Sequence, residues 1–396
     1  MTEPALTPGA RVTDWMAVCG TGLCGAVRRA AAALCLATAI AACSDAPTAP
    51  LNASALHPLD LSAEWTPTSP GAEHVDSAGL AAAFAQAGNV PALTSVVVVR
   101  HSHLVGEHYF APGGPDSAYS LRSVTKSVIS LLVGIAIHQG HVPGTTTTLA
   151  TYFKPPLPVL DSTKRSISIQ DLLTMTSGFQ WDETDSVALY DDWVTAPNEI
   201  TFLTDRPLAC APGQCWNYNS AAVHLLSVIL SRAIAEGTAA YADDVLFKPL
   251  GIHSAQWEVF GDGYPNGGAG LYLRPRDMAK IGALVLQRGM SGQTAVVPAS
   301  WIGLSTGMLW QTNADEVLQP TGQLGYGDLW WVGHVGPHRL VLAWGYGGQF
   351  IWIVPDLDLV VVTTAAWQNV GNAAPFDAND IAIFIANQIM PTVRPD

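Results

Sequence analysis

Ser123-Val124-Thr125-Lys126 opens a stretch that is otherwise apolar on nearly every side, from Val124 to Ile137, and that ends at Gly140. Residues i and i+3 share a helix face, so an amine at the second position reaches a hydroxyl at the first. Burial disfavours the ammonium form, and a neutral amine can take a serine proton. A surface lysine is the bland alternative, but a lysine inside so apolar a helix is costly unless something requires it. The chain holds only five lysines (Lys126, Lys154, Lys164, Lys248 and Lys280), which makes one inside such a motif informative.

Two more segments carry candidate chemistry. In Pro212-Gly-Gln-Cys-Trp-Asn-Tyr218-Asn-Ser220 a phenol and a hydroxyl stand two residues apart before a helical pattern, where both can face a cleft and relay a proton to a leaving group. The competing reading is a helix cap by Asn219 or Ser220, with Tyr218 as packing. In Trp344-Gly345-Tyr346-Gly347-Gly348-Gln349 three glycines on a strand permit close approach of a substrate backbone and leave an N–H for an oxyanion. A bulge without function fits the same residues.

The elements that must position these groups follow from periodicity. Asp76 to Ala87 reads as a short helix, and Thr94–Arg100 with Leu104–Phe110 as an apolar hairpin around His101-Ser102-His103. Helical patterns recur at Ile169–Met175, Ala221–Ala235, Ala240–Leu246 and Pro275–Arg288. Runs of β character follow at Leu329–Val332, Arg339–Trp344, Phe350–Val354 and Leu357–Thr364, and Asp377–Ile389 closes the chain with a helix. The expected fold is α+β, an α/β sandwich. An antiparallel sheet from about 71–122 and 325–396 is flanked by helices and interrupted by a mainly helical lobe over about 140–324.

Serine, then Tyr-x-Ser, then a glycine-containing strand motif, in that order and about 95 and then about 125 residues apart, resembles the serine β-lactamase and penicillin-binding-protein superfamily. The likeness is to its class C-like branch of esterases, carboxypeptidases and 6-aminohexanoate-dimer hydrolases. Asp171-Leu-Leu-Thr-Met-Thr-Ser-Gly178, Gly268-Ala-Gly-Leu-Tyr-Leu-Arg-Pro-Arg-Asp277 and Val354-Pro-Asp-Leu-Asp-Leu359 agree with it, and together the segments span about residues 75 to 390. The resemblance implies the β-lactamase/transpeptidase-like fold, Ser123 as nucleophile, Lys126 as base, Tyr218 as general acid/base with Ser220 beside it, and an oxyanion hole from the backbone N–H groups of Ser123 and Gly348. It implies no cofactor. Gly345-Tyr346-Gly347 stands where most relatives carry Lys-Thr-Gly, so the cation that holds the carboxylate of β-lactams and peptidoglycan stems is missing.

The N-terminus reads as an address. Arg28-Arg29 precede a 13-residue apolar stretch, Ala30–Ala42, too short to span a bilayer and suited to a signal peptide. It ends in Ile40-Ala-Ala-Cys43, which resembles a lipobox and implies a diacylglyceryl Cys43, a mature protein tethered by residues 44–70, and a place at the periplasmic face of the outer membrane; plain secretion is the alternative. Of six cysteines, Cys210 and Cys215 remain in the folded part, either as a small-loop disulfide or as two buried thiols.

Composition removes other classes. A net charge of −14 with 13% charged residues excludes a phosphate-backbone binder, so no nucleic-acid partner is expected. His101, His103 and His108, and His334 with His338, lack an H-E-x-x-H or convergent carboxylates and read as turn residues rather than metal ligands. The acidic, aromatic segment from Trp181 to Trp193 reads as a solvated loop bordering the cleft, with Tyr190 or Trp193 as substrate-pocket candidates beside Gly345, Tyr346 and Gly347. The expected activity is acyl transfer from a small ester or amide to Ser123 and then to water. The alternatives are β-lactam or D-Ala-D-Ala cleavage and, from another class, a non-catalytic binding lipoprotein.

Overall fold

The computed structural model describes residues 52–110, 113–183, 188–366 and 378–396, so the Cys43 segment lies outside the described residues. Strand β1 (Leu93–Arg100) is buried along its whole length, which its run of four valines permits because both of its faces meet apolar cover. It pairs with β2 (His103–Tyr109) through a tight turn in which His101 and Ser102 both take positive φ. The remaining strands of the sheet are β3 (Trp310–Gln311), β4 (Thr321–Tyr326), β5 (Trp331–Val335), β6 (His338–Gly345), β7 (Gln349–Val354) and β8 (Leu359–Ala365). All pairings are antiparallel, in the order β2-β1-β8-β7-β6-β5-β4-β3. The N-terminal hairpin therefore closes onto the last strand of the chain, and the sheet brings both ends of the sequence together.

Five principal helices matter here: α1 (Ser77–Ala87), α2 (Val124–His138), α3 (Ser220–Ala233), α4 (Pro275–Leu286) and α5 (Ala378–Phe384). Asp76 caps α1, its carboxylate accepting from the amides of Ala78 and Gly79. Helix α4 packs on β1, β7 and β8, and α2 lies against β6, β7 and α3. Gly282 makes the α4 contact close, since a Cβ there would stand 2.5 Å from Val360 Cγ1. Between α2 and α4 the chain forms the helical lobe, including a short helix, Ile169–Leu173, closed by a capping box between Ser168 and Asp171.

Two expected boundaries move. The sheet begins earlier than 325, because β3 and β4 extend it beyond β5. Residues 52–69 are not a free tether. The Ser54 amide donates to Asp358, Leu61 is buried with its amide on Ser291, Trp65 donates to the Arg276 carbonyl, and Glu64 pairs with Arg274. Proline- and alanine-rich composition suggested a linker, but scattered apolar residues were enough to dock it. Among the described residues no single helix is long and apolar enough to cross a membrane.

Candidate functional site

Leu121 leaves the small sheet that pairs Tyr119–Ser120 with Leu271–Leu273, and Arg122 turns the chain through φ +49° into α2. A left-handed arginine is an uncommon, strained conformation of the kind that clusters at functional sites. Ser123 is the N-cap of α2, yet its hydroxyl makes no capping bond. It accepts instead from Lys126 Nζ at 2.7 Å, one helical turn on, as i, i+3 spacing requires.

The Lys126 amine is 1% exposed and donates also to Ser220 Oγ at 2.7 Å and to the Gly268 carbonyl at 2.8 Å. Burial is the main reason its pKa falls to about 7; the Glu183 carboxylate pulls it up and the Arg122 guanidinium pushes it down. Asn266 Oδ1 takes the Gly268 and Ala269 amides, which fixes the carbonyl that faces the amine. Behind it, the Gly267 amide donates to His224 Nδ1, and the buried His224 Nε2 lies 2.9 Å from Asp262 Oδ2.

Asn219, not Ser220, caps α3: its side chain accepts from the Ala222 amide, which leaves the Ser220 hydroxyl for Lys126. The ring of Tyr218 covers that amine at 4.9 Å, which places the phenol beside the Ser123–Lys126 pair. Burial, then the Glu183 charge, holds the phenol well above the usual tyrosine value, so it is a neutral O–H donor near neutral pH. Cys210 and Cys215 form a disulfide just before this segment. The Gly213 and Asn217 amides donate to Thr176 and Met175, which stitches the Thr176-Ser-Gly178 loop to Tyr218. The ring of Tyr218 stacks on Trp331, with Tyr326 and Trp216 at its edges.

The structure corrects three details of the expected site. Gly345 ends β6 and Tyr346-Gly347-Gly348 is the β6–β7 turn, in which the Gly348 amide donates to the Gly345 carbonyl at 3.1 Å. That N–H is committed to closing the turn, so the oxyanion assignment does not rest on Gly348. Trp193 is 0% exposed and donates to the Glu199 carbonyl; it packs under Tyr190 and against Trp181, His224 and Phe260 instead of lining the cleft. Tyr190 itself is partly exposed and lies under the Arg122 guanidinium, 5.2 Å from its ring centroid. Tyr346 is 37% exposed on the rim, while Gly347 and Gly348 turn with positive φ. Arg274 and Arg276 are held by Asp277 with Glu64 and by Glu107, and do not supply the absent third-motif cation.

Glu183 is the group that sequence reasoning missed. It sits in the segment expected to be solvated, yet it is 7% exposed. Oε1 accepts from Ser220 Oγ at 2.6 Å, and Oε2 from the Ser220 amide at 3.0 Å and from Trp181 Nε1 at 2.7 Å. Asn217 Nδ2 donates to the Trp181 carbonyl and so draws this turn onto the start of α3. The only sequence signal was a carboxylate two residues from a tryptophan, just after the Thr-Ser-Gly motif. The histidines find partners on the surface: His101 with Glu73 and Asp396, and His338 with Asp356.

Sheet, inserted lobe and a serine–lysine–tyrosine constellation where they meet define the class of serine hydrolases that includes β-lactamases, esterases and 6-aminohexanoate-dimer hydrolases. The chain belongs to the beta-lactamase family, whose model matches residues 78–384. It is 26% identical over 292 residues to a 6-aminohexanoate-dimer hydrolase of Paenarthrobacter ureafaciens, covering 68% of this chain and 72% of that one. It is 30% identical over 175 residues to the esterase EstB of Burkholderia gladioli, covering 39% of this chain and 44% of that protein. Among solved structures, an octameric penicillin-binding protein homologue from Pyrococcus abyssi superposes with a TM-score of 0.61 at 16% identity, over 83% of this chain and 78% of that one. The hydrolase EstCE1, described as having promiscuous acyltransferase activity, gives 0.59 at 17% identity, over 79% of this chain and 99% of that one. At these identities the two structures show the shared fold.

Proposed function

We propose that the protein hydrolyses small neutral esters or amides through an acyl-enzyme on Ser123. The observation that carries this reading is the buried Lys126 amine, 2.7 Å from the Ser123 hydroxyl and lowered to a pKa of about 7, where half of it is a neutral base near neutral pH. Lys126 takes the Ser123 proton as Oγ attacks the carbonyl. The Ser123 N–H, at the start of α2, holds the oxyanion. The neutral Tyr218 phenol passes a proton to the departing alcohol or amine and is reprotonated by the Lys126 ammonium, which restores the neutral amine. Water then attacks the acyl-enzyme with Lys126 again as base.

Substrate choice follows from charge. A β-lactam or a D-Ala-D-Ala peptide brings a carboxylate close to the reactive carbonyl, and burying it without a cation is costly. Gly345 offers no cation, and Tyr346, Tyr190 and the Tyr218–Trp331 stack give the cleft aromatic walls suited to apolar acyl groups. The expected result is a kcat/KM for a short-chain p-nitrophenyl ester at least about tenfold above that for nitrocefin or a D-Ala-D-Ala peptide, about 1.4 kcal/mol of transition-state binding. Equal or reversed preference favours the peptidoglycan reading and assigns carboxylate binding to Arg122, which stands beside the nucleophile. The apolar run ending at Cys43 supports a lipoprotein of the cell envelope.

A further inference from the structure

Three groups surround the Lys126 amine, and the direction of each hydrogen bond can be worked out by counting donors. The Gly268 carbonyl only accepts. The Ser220 hydroxyl has one proton, and Glu183 Oε1, 2.6 Å away, takes it because a carboxylate cannot donate. Toward Lys126, Ser220 is therefore an acceptor too. A neutral amine has two N–H bonds and one lone pair. With both N–H bonds of the neutral amine taken by Gly268 and Ser220, its lone pair is left for the third neighbour, the Ser123 hydroxyl 2.7 Å away, which accepts from the ammonium form and donates to the neutral one.

We propose that Glu183 is a positioning residue that aims the base: by fixing the Ser220 proton on itself, it directs the Lys126 lone pair onto Ser123. The inference rests on Lys126 being the base in acylation. Proton transfer fits the same set of acceptors. The Ser123 proton moves to Nζ as Oγ bonds to carbon, and the resulting ammonium has three N–H bonds for three oxygens.

Replacing Glu183 with glutamine tests the idea because of where the other donors point. The Ser220 amide and Trp181 Nε1 both aim at Oε2, so the glutamine carbonyl must take that place and its NH2 must face Ser220 Oγ. Ser220 then accepts from Gln and turns its own proton toward the Lys126 lone pair, in competition with Ser123. Two effects follow. The base is misdirected, which lowers the plateau rate. The ammonium also loses an anionic neighbour and an acceptor, so the acid limb of the rate moves to lower pH. The charged and titratable groups facing Lys126 are Glu183, Arg122, Tyr218 and the Ser123 and Ser220 hydroxyls, with Tyr190 beyond Arg122. Only Glu183 changes in this variant.

The experiment measures the second-order rate of fluorophosphonate labelling at Ser123 from about pH 5 to about pH 9, on the full chain, for wild type, E183Q, S220A and the double variant. E183Q should lower the plateau at least about tenfold and shift the acid limb down. In the S220A background the same change should alter the plateau by less than about twofold, because the relay through Ser220 is already gone. An unchanged plateau in E183Q, or a tenfold loss that persists without Ser220, overturns the proposal. If E183Q melts early, E183D keeps the charge but shortens the reach; it should lower the plateau with the limb in place, and a wild-type plateau there overturns the proposal. Wild type that labels nowhere near Ser123 at any pH removes the base role itself, a failure distinct from an E183Q that labels like wild type.

Discussion

Gly345→Ala should damage catalysis more than stability, because its single added methyl presses on the backbone that aims the nucleophile. A Cβ at 345 would stand 2.3 Å from the Leu121 carbonyl oxygen, 3.0 Å from Gln349 Cβ and 3.3 Å from Arg122 Cβ. Ordinary contact begins near 3.4 Å, so the Leu121 carbonyl must retreat by about 1 Å, and as a backbone atom it cannot rotate aside. That carbonyl accepts the Val124 amide and forms the first turn of α2 at Ser123. Overpacking of this kind costs about 1–3 kcal/mol of stability. A displacement of about 1 Å at the nucleophile costs about a hundredfold in rate, equivalent to about 2.7 kcal/mol of barrier. Steady-state kcat/KM on a p-nitrophenyl ester, read beside a thermal melt of the same preparation, checks both numbers. Activity within about twofold of wild type would refute the reasoning, since the β6–β7 turn would then be able to yield without moving Ser123. The same clash means that Gly345→Lys does not restore a carboxylate-binding cation: its Cβ meets Leu121 before its ammonium reaches the cleft.

Other expectations are simpler. Ser123→Ala should abolish hydrolysis of every substrate and leave the fold intact, because the Ser123 hydroxyl makes no capping bond and Lys126 keeps Ser220 and Gly268 as acceptors; residual activity above a few per cent on purified protein would move the nucleophile elsewhere. Wild-type kcat/KM should fall below about pH 7, tenfold per unit, because the base must be neutral and Lys126 gains its proton as pH drops through about 7; a rate flat down to pH 5 would exclude it as the base. Protein purified from membranes should carry a diacylglyceryl Cys43 as its first residue by mass spectrometry, and a mature chain that keeps earlier residues or washes off in salt would sink the lipoprotein reading.

What the sequence determined by itself is local or nearly so. The Ser123–Lys126 contact follows from helical spacing, and the burial of that helix follows from its unbroken apolar run. That strands from the two ends of the chain build one sheet follows from where the β patterns lie, and motif order pointed to the family. What only the tertiary structure decided depends on residues far apart in sequence. No spacing rule links Glu183 to Ser220, 37 positions on; an acidic loop looks solvated until Asn217 and Trp181 fold it over the start of α3. Trp193 read as a cleft aromatic, but the hydrophobic effect favours burying the largest rings wherever the lobe closes, and it closed over Trp193. Gly348 carried the right residue type for an oxyanion donor, yet the closing bond of a three-residue turn claimed its amide first. Each of these outcomes turns on which polar group finds its partner when distant segments meet, a competition settled by distances of a few tenths of an ångström that a one-dimensional pattern does not encode.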